Sequence, residues 1–538
     1  MSNDMEYIVV TGGVISGVGK GITASAIGVL LKHYNQKVTS IKIDPYLNID
    51  AGTMSPYEHG ECYVLDDGGE VDLDLGSYER FLGITLTREH NITTGKIYTK
   101  VLSDERKGTY LGKTVQVDPH ITDKIQEWIE KTALIDVGEG IPDVCIIELG
   151  GTVGDMENIP FVEALRQMRF RLGNRISFVH VSYLPIVSEI KTKPTQHSIL
   201  EIRRSLGGTP DVLCVRCEQW PTIEVINKLE RSCQVPKNRI IINNDVSNIY
   251  RVPITFHNQG LMNFLCEKMK IGKTNNFHKW EDIVKPFDMN FPRKIISIIG
   301  KYTKLPDAYI SLVHAIKHAS ATCKIYPDIQ WIESSDLDSD IYPNDSWKNL
   351  INSDVAIIPG GFGIRGIDGM ILAAKKLREL DIPTLGICLG MQIMVIEYAR
   401  EFWNMENANS TEFDKTTKYP IIDIINKDEV AKGGTMKVGS KITNIKENTK
   451  VFSIYNKNNK KSKDISIINE RHRHRYEVNP KIIDITKDEF SGINEDNIVD
   501  LFESKNNKFY IGCQYHPEYK TKPNKPHPLF LSLIQSIT

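Results

Sequence analysis

Gly386-Ile387-Cys388-Leu389-Gly390 places a cysteine between two glycines, after a strand-like run at 384–387 and before a helical run at 391–398. This is the Gly-x-nucleophile-x-Gly spacing of a nucleophile elbow, with Cys in place of Ser. A sharp strand-to-helix turn exposes the side chain, and the helix N-terminus favours a thiolate. Acyl transfer from a thiolate also needs a proton-transfer group and donors for an oxyanion. IGCQYHPEY supplies His516 and, two residues on, Glu518, with Pro517 stiffening the link so that the carboxylate can orient the imidazole. Gly360 and Gly361, in PGGFGIRG after the strand-like run 355–358, can offer backbone N–H groups. A lone buried cysteine is more often core packing. The elbow spacing together with the downstream His-x-Glu outweighs that reading.

A second chemistry is written at the other end of the chain. The strand-like run 7–10 opens into TGGVISGVGKGITAS and a helical segment at 22–31. Strand, Gly-rich turn, Lys and helix make a phosphate cradle: backbone N–H groups converge on phosphate oxygens, the helix N-terminus adds its dipole, and Lys20 can reach a terminal phosphate. The usual pattern GxxxxGK[ST] would put Gly at Val14 and Ser or Thr at Gly21, so this loop is a variant, and Thr23 is a doubtful substitute for the metal-binding hydroxyl. A magnesium ion needs carboxylates, and VDLDLG (Asp72, Asp74) and the end of DVCIIELGG (Glu148) offer them at sheet-compatible positions. Singly, each acid reads as a loop cap or surface charge; with the loop, they gain specificity. KTKPTQHS sets Lys191 and Lys193 beside Pro194 in what reads as a rigid loop able to meet a second polyphosphate, or as a solvated basic turn. Cys214 and Cys217 form a CxxC with no second pair and no redox-type helix start, so they are expected to be structural thiols.

These residues need rigid elements beneath them. Strand-like runs at 7–10, 38–43, 143–149, 176–181 and 211–215 alternate with helical stretches, which signals α/β architecture around a parallel sheet. The stretch 122–134 carries Ile125, Trp128 and Ile129 at helical spacing with charged residues elsewhere, an amphipathic surface helix. At 273–292 the pattern breaks into polar residues, aromatics and prolines, and a second α/β series starts at 294. The expected division is a first domain at 1–274, a linker at 275–292 and a second domain at 293–538. Asn/Lys-rich stretches at 426–432 and 456–463 read as solvated loops or hairpin tips.

Composition limits the function. With 538 residues, 41% apolar and 25% charged, the chain can bury large cores without disulfide or metal staples. A net charge of -2 leaves no basic field for nucleic acid or an acidic membrane, so any polyanion must be met locally. Nine scattered cysteines, no signal-peptide pattern and no spanning apolar run lead us to expect a cytoplasmic protein.

Taken in order, GGVISGVGKGI, KIDPYLNIDAGTMSP, HGECYVLDDGGEVDLDLGSYERF, TVQVDPHIT, ELGGTVGDME, KTKPTQHS, PGGFGIRG, GICLGMQ, MENANSTEF, RHRHRYEVN and QYHPE resemble the motifs of the CTP synthase family across nearly the whole chain. The C-terminal half alone would resemble any class I glutamine amidotransferase. The resemblance implies two α/β domains, a P-loop-like amidoligase (synthetase) domain followed by a glutamine amidotransferase domain. It also implies a reaction in which ATP phosphorylates O4 of UTP and ammonia displaces the phosphate. That ammonia would be released from glutamine at a Cys388-His516-Glu518 triad and transferred internally.

By the same resemblance, Ser16 and the run Gly17, Val18, Gly19, Lys20, Gly21 and Ile22 hold nucleotide phosphates, Lys20 and Lys42 assist phosphoryl transfer, and Asp74 and Glu148 ligate Mg2+, with Asp72 in support. Asn244, Asp245 and Val246 meet the adenine, although the family often has Lys at the first of these positions. Ser16, Lys191, Thr192, Lys193, Pro194, Thr195, Gln196 and Lys228 fall at the UTP site, and Asp155, Met156 and Glu157 at the overlapping site of CTP as inhibitor. Gly361, Leu389, Gly390, Met391, Gln392, Glu412 and Arg473 fall at the glutamine site, with Arg471 and Arg475 as alternatives to Arg473. Phe362 and Arg365 belong to a lid linked to GTP activation. A homotetramer, and in many members filaments, are also implied. Two other readings compete: an amidoligase that activates a carboxylate with ATP, and a non-catalytic assembly protein that keeps the fold.

Overall fold

The computed structural model describes residues 5–272, 274–338, 344–424, 436–457, 464–482, 484 and 487–538. The Asn/Lys-rich stretch 426–432, and 458–463 of the second such stretch, lie outside the described residues. The chain forms two compact units, one of residues 1–53 and 71–288, the other of residues 54–70 and 289–538. Residues 54–70 thus pack with the C-terminal part of the chain. The stretch 275–292 contains the helix His278–Val284, whose Trp280 and Val284 are buried.

In the first unit seven strands form one sheet, in the order Ile240–Asn244, Val212–Cys217, Ile176–Tyr183, Glu6–Gly12, Val144–Leu149, Val38–Asp44, Asn91–Thr93. Every neighbouring pair is parallel. The central strands are apolar almost throughout because helices cover both faces. Ile8, Val9, Val10, Ile41, Ile43, Ile146 and Ile147 are all fully buried. Thr122–Thr132 is the expected amphipathic helix: Ile125 and Ile129 face the core, while Trp128 lies partly exposed and donates from Nε1 to Glu89 O at 3.1 Å. Cys214 and Cys217 are buried free thiols.

The second unit has a nine-stranded sheet in the order Tyr326–Glu333, Arg293–Gly300, Val355–Ile358, Thr384–Ile387, Tyr510–Cys513, Val499–Glu503, Phe490–Asn494, Lys437–Ile445, Ile467–His474. The first five strands are parallel and the rest antiparallel. Both sheets bring the C-terminal ends of parallel strands to one edge, where α/β folds bind ligands. Among the described residues no helix is long and apolar enough to cross a membrane.

Candidate functional sites

In the first unit the site is built at the ends of the strands Glu6–Gly12, Val38–Asp44 and Val144–Leu149. The Gly-rich turn leads into the helix Lys20–His33. Val14, where the usual pattern has glycine, adopts φ 82°, and Gly17 and Gly19 have φ 68° and 100°. The left-handed turn is therefore made even where a β-branched residue bears its strain. Lys20 folds back over Gly12, where a Cβ would stand 2.6 Å from its Cδ, and donates to Gly151 O at 2.8 Å. Burial holds its ammonium below the usual range, against the pull of Glu148.

Lys42 lies opposite Glu148 in register and is buried among acids. It donates to Asp74 and stands 3.4 Å from Asp44, 3.6 Å from Asp72 and 3.8 Å from Glu148. Burial opposes its charge, but the surrounding carboxylates outweigh it and raise its pKa. Burial and the nearby Asp74 push Glu148 up to about 7, while Lys42 overcomes burial at Asp74 and lowers it. Asp72 caps the helix Leu73–Leu82 by accepting from Asp74 N at 3.0 Å.

Four carboxylates thus share two lysines, an oxygen-only donor set with negative charge to spare. That suits a hard divalent cation such as Mg2+, which completes its shell with phosphate oxygens and water. Among the described residues no three His, Cys, Asp or Glu side chains are arranged to hold a metal alone. Thr23 does not supply the missing hydroxyl. It is fully buried, and its Oγ1 lies 3.9 Å from Cys214 Sγ.

The lysine segment is the start of a helix, Lys193–Leu206, with Pro194 in its first turn, where proline's missing N–H leaves no bond unmade. The expectation of a loop is corrected to that extent. Gln196 donates to Thr192 Oγ1 at 3.0 Å, and Thr195 donates to Tyr183 O at 3.0 Å. Lys191 pairs with Glu189 at 2.8 Å. This helix abuts the phosphate loop: Ser198 Oγ is 2.6 Å from His180 Nε2, and a Cβ on Gly13 would collide with that hydroxyl. Asp155 accepts from Thr152 N at 3.0 Å, and Met156 and Glu157 are exposed.

Arg216 was not foreseen. From the end of its strand it donates to Gly17 O at 2.8 Å and Asp245 Oδ1 at 2.7 Å, tying the phosphate loop to the segment 244–246. Its position at the C-terminal end of a strand was the available signal.

In the second unit Cys388 sits on the predicted elbow, with φ 54° and ψ −105°, between the strand Thr384–Ile387 and the helix Leu389–Phe402. The flanking glycines are needed for packing. A Cβ on Gly390 would stand 1.9 Å from Ile358 O, and one on Gly386 would stand 2.3 Å from Met394 Sδ. His516 Nδ1 is 2.8 Å from Glu518 Oε1, and its Nε2 makes no hydrogen bond to a described residue. A Cβ placed on Gly360 would lie 3.6 Å from Cys388 Cβ and 3.8 Å from His516 Nε2, so thiol and imidazole flank that glycine. Gly361 packs against Leu389. The strand Ile467–His474 holds both partners: Arg471 O accepts from His516 N at 2.8 Å, and Arg473 O lies 3.8 Å from Cys388 Sγ.

Burial disfavours the His516 imidazolium, but Glu518 and the Cys388 sulfur override it and raise its pKa to about 10. A histidine raised from about 6.5 stabilises the fold fully below that pH, and the contribution disappears as pH climbs through the folded value. Glu518→Gln is therefore expected to lower the urea midpoint most at pH 6, with the deficit shrinking toward pH 10. A deficit constant across that range would refute the charge pairing.

Of the three candidate arginines, Arg471 is engaged with Asp66 at 2.5 Å and Tyr63 Oη at 2.9 Å, and Arg475 is exposed. Arg473 donates to Glu70 Oε1 at 2.8 Å, and its guanidinium stands 5.3 Å over the Phe362 ring. Glu412 accepts from Gly363 N at 2.9 Å. Arg365 is anchored by Glu333, Lys301 O and, at 3.0 Å, Tyr57 Oη. Lys301, also missed, reaches the carbonyls of Gly363 and Phe362, and burial lowers it to about 8. Met391 is buried, and Gln392 donates to Tyr476 O at 2.9 Å.

Residues 6–271 match the family described as CTP synthase N-terminus, and residues 304–536 match glutamine amidotransferase class-I. CTP synthase 2 of Saccharomyces cerevisiae is 46% identical over 560 residues, covering 98% of this chain and 96% of the relative. The CTP synthase of Methanococcoides burtonii is 47% identical over 538 residues, covering 98% of each. Among solved structures, the glutaminase domain of Trypanosoma brucei CTPS with bound acivicin matches at 32% identity with a TM-score of 0.41, over 45% of this chain and 93% of that one.

Proposed function

Since the chain belongs to the CTP synthase family, and is thus a ligase that aminates UTP to CTP using ATP and glutamine, we propose how its residues divide that work. At Cys388 the thiolate attacks the glutamine carboxamide carbon. His516 takes the thiol proton and returns it to the departing nitrogen, so that ammonia leaves and a thioester remains for water to cleave to glutamate. Glu518 holds the imidazole, and backbone N–H groups of the Gly360–Gly361 turn, with that of Leu389 directly after the nucleophile, serve as donors to the oxyanion. Met391 and Gln392 shape the pocket from beneath. Arg473 and Glu412 meet the charged end of glutamine, with Arg473 exchanging its contact to Glu70 for the substrate carboxylate.

In the synthetase unit the loop from Ser16 to Ile22 holds triphosphate, with Lys20 and Lys42 offsetting the charge of the transferring phosphoryl group. When bound by Asp74 and Glu148, Mg2+ would neutralise phosphate charge. Arg216 and residues 244–246 close the ATP side. Lys191 to Gln196 and Lys228 hold UTP, and Asp155 to Glu157 contribute to inhibition by CTP. UTP O4 takes the γ-phosphoryl group from ATP, and ammonia handed on internally adds at C4 and expels phosphate. The lid from Phe362 to Arg365 responds to GTP.

The observation that carries this reading is the pairing of Lys42 with Asp74 and Glu148 beside the phosphate loop, in a chain whose other unit holds the Cys388 elbow. Relatives of this identity and coverage favour UTP over a carboxylic acid as acceptor. The test is CTP formation with glutamine or ammonia, with and without GTP. CTP is expected from either nitrogen source, with GTP raising only the glutamine rate. No CTP at saturating ATP, UTP, magnesium and ammonia would refute the assignment.

A further inference from the structure

We infer that Gln514 is a further catalytic residue of the glutaminase site, donating a side-chain N–H to the Cys388 sulfur and thereby favouring the thiolate. The inference rests on the reading of Cys388 as the nucleophile. Gln514 follows the strand Tyr510–Cys513 and is fully buried. Its backbone N–H donates to Asp500 O at 2.8 Å, which fixes where the side chain starts. Its Nε2 stands 3.6 Å from Cys388 Sγ, and its Oε1 accepts from Gln392 Nε2 at 3.2 Å.

The direction of the amide follows from its neighbour. Gln392 Nε2 also donates to Tyr476 O at 2.9 Å, and a backbone carbonyl can only accept. The amide nitrogen of Gln392 therefore faces both partners, and its second N–H requires an oxygen on Gln514. That leaves the Gln514 nitrogen on the sulfur side. Gln392 is a positioning residue in this arrangement.

The need for such a donor comes from burial. Cys388 is 5% exposed, and an ion removed from water must be hydrogen-bonded. The thiol proton is directed to Arg473 O at 3.8 Å. Once His516 has taken that proton, the carbonyl oxygen faces an anion and repels it, while the Gln514 N–H becomes a charge-assisted donor.

The test uses the full chain with two variants. Gln514→Glu keeps the shape and, once its carboxyl is ionised, removes the donor, and Gln514→Leu removes both polar atoms. The rate of Cys388 alkylation by iodoacetamide, located by peptide mass, is followed against pH, with thermal melting as the folding control. Both variants should reach half-maximal rate at higher pH than wild type, Gln514→Glu most. At pH values below both midpoints, labelling should slow by about tenfold for each pH unit moved. The kcat for glutamine hydrolysis should fall more than KM rises. A merely structural role would not move the alkylation profile. An unchanged profile in folded variants overturns the inference. If Gln514→Leu fails to fold, the isosteric Gln514→Glu carries the comparison alone. No labelling of wild-type Cys388 would instead overturn the nucleophile reading, and the inference with it.

Discussion

Cys388→Ala is expected to abolish glutamine-supported CTP formation while CTP formation from ammonia persists. The thiolate is the only covalent partner proposed for the carboxamide, and loss of such a nucleophile typically costs ~10⁴-fold or more in kcat. Because Cys388 belongs to the unit of 54–70 and 289–538, and Lys20, Lys42, Asp74 and Glu148 to the other, the substitution leaves the phosphate-handling groups untouched. Alanine also fits the elbow sterically, since the flanking glycines, not the nucleophile, make the tight contacts with Ile358 O and Met394. Steady-state CTP formation with each nitrogen source is the measurement. Loss of both activities in a folded variant would show that nitrogen release and UTP amination are not separate chemistries.

Local spacing is the part of this protein that reads directly. Cys388 between two glycines, and His516 two residues before Glu518, each make a contact of a few residues, and the folded chain places both pairs where the spacing indicates. The strand-like runs of both series were legible for a similar reason: apolar strands covered on both faces are unbroken hydrophobic runs bounded by turns. Contacts across long separations were not legible. Nothing near Gly17 announces Arg216, whose guanidinium arrives from 199 residues away, and nothing near Arg473 announces Glu70. The packing of residues 54–70 with the C-terminal part of the chain is the largest such case, because Tyr63 Oη donating to Tyr519 O leaves no periodicity in either segment. Near-neutral net charge gave no sign of the cluster around Lys42: its lysines are matched and exceeded by carboxylates, so the sum over residues says nothing of the local field.

Gly21 is where the departure from the usual phosphate-loop pattern acquires a reason, and it yields the second large effect. Restoring the pattern by Gly21→Ser is expected to reduce CTP formation from glutamine and from ammonia alike by ~100-fold or more, the usual scale for displacing charges that stabilise a transition state. A Cβ at this position would stand 2.3 Å from Asp74 Oδ1 and 3.4 Å from Glu148 Oε2, so the volume that a Ser or Thr side chain fills in the standard loop is taken here by the carboxylates. The strand ends and the capped helix Leu73–Leu82 bring those acids in, and Lys42 holds them. Overpacking of this kind also costs ~1–3 kcal/mol in stability. Gly21→Ala should be as damaging as Gly21→Ser, because the collision is with the β-carbon and not with the hydroxyl. Glutamine hydrolysis at Cys388, followed as glutamate release, should continue in both variants. If Gly21→Ser kept wild-type ammonia-supported turnover, the carboxylates would have to stand elsewhere during phosphoryl transfer, and the assignment of Asp74 and Glu148 to the metal would fall with them.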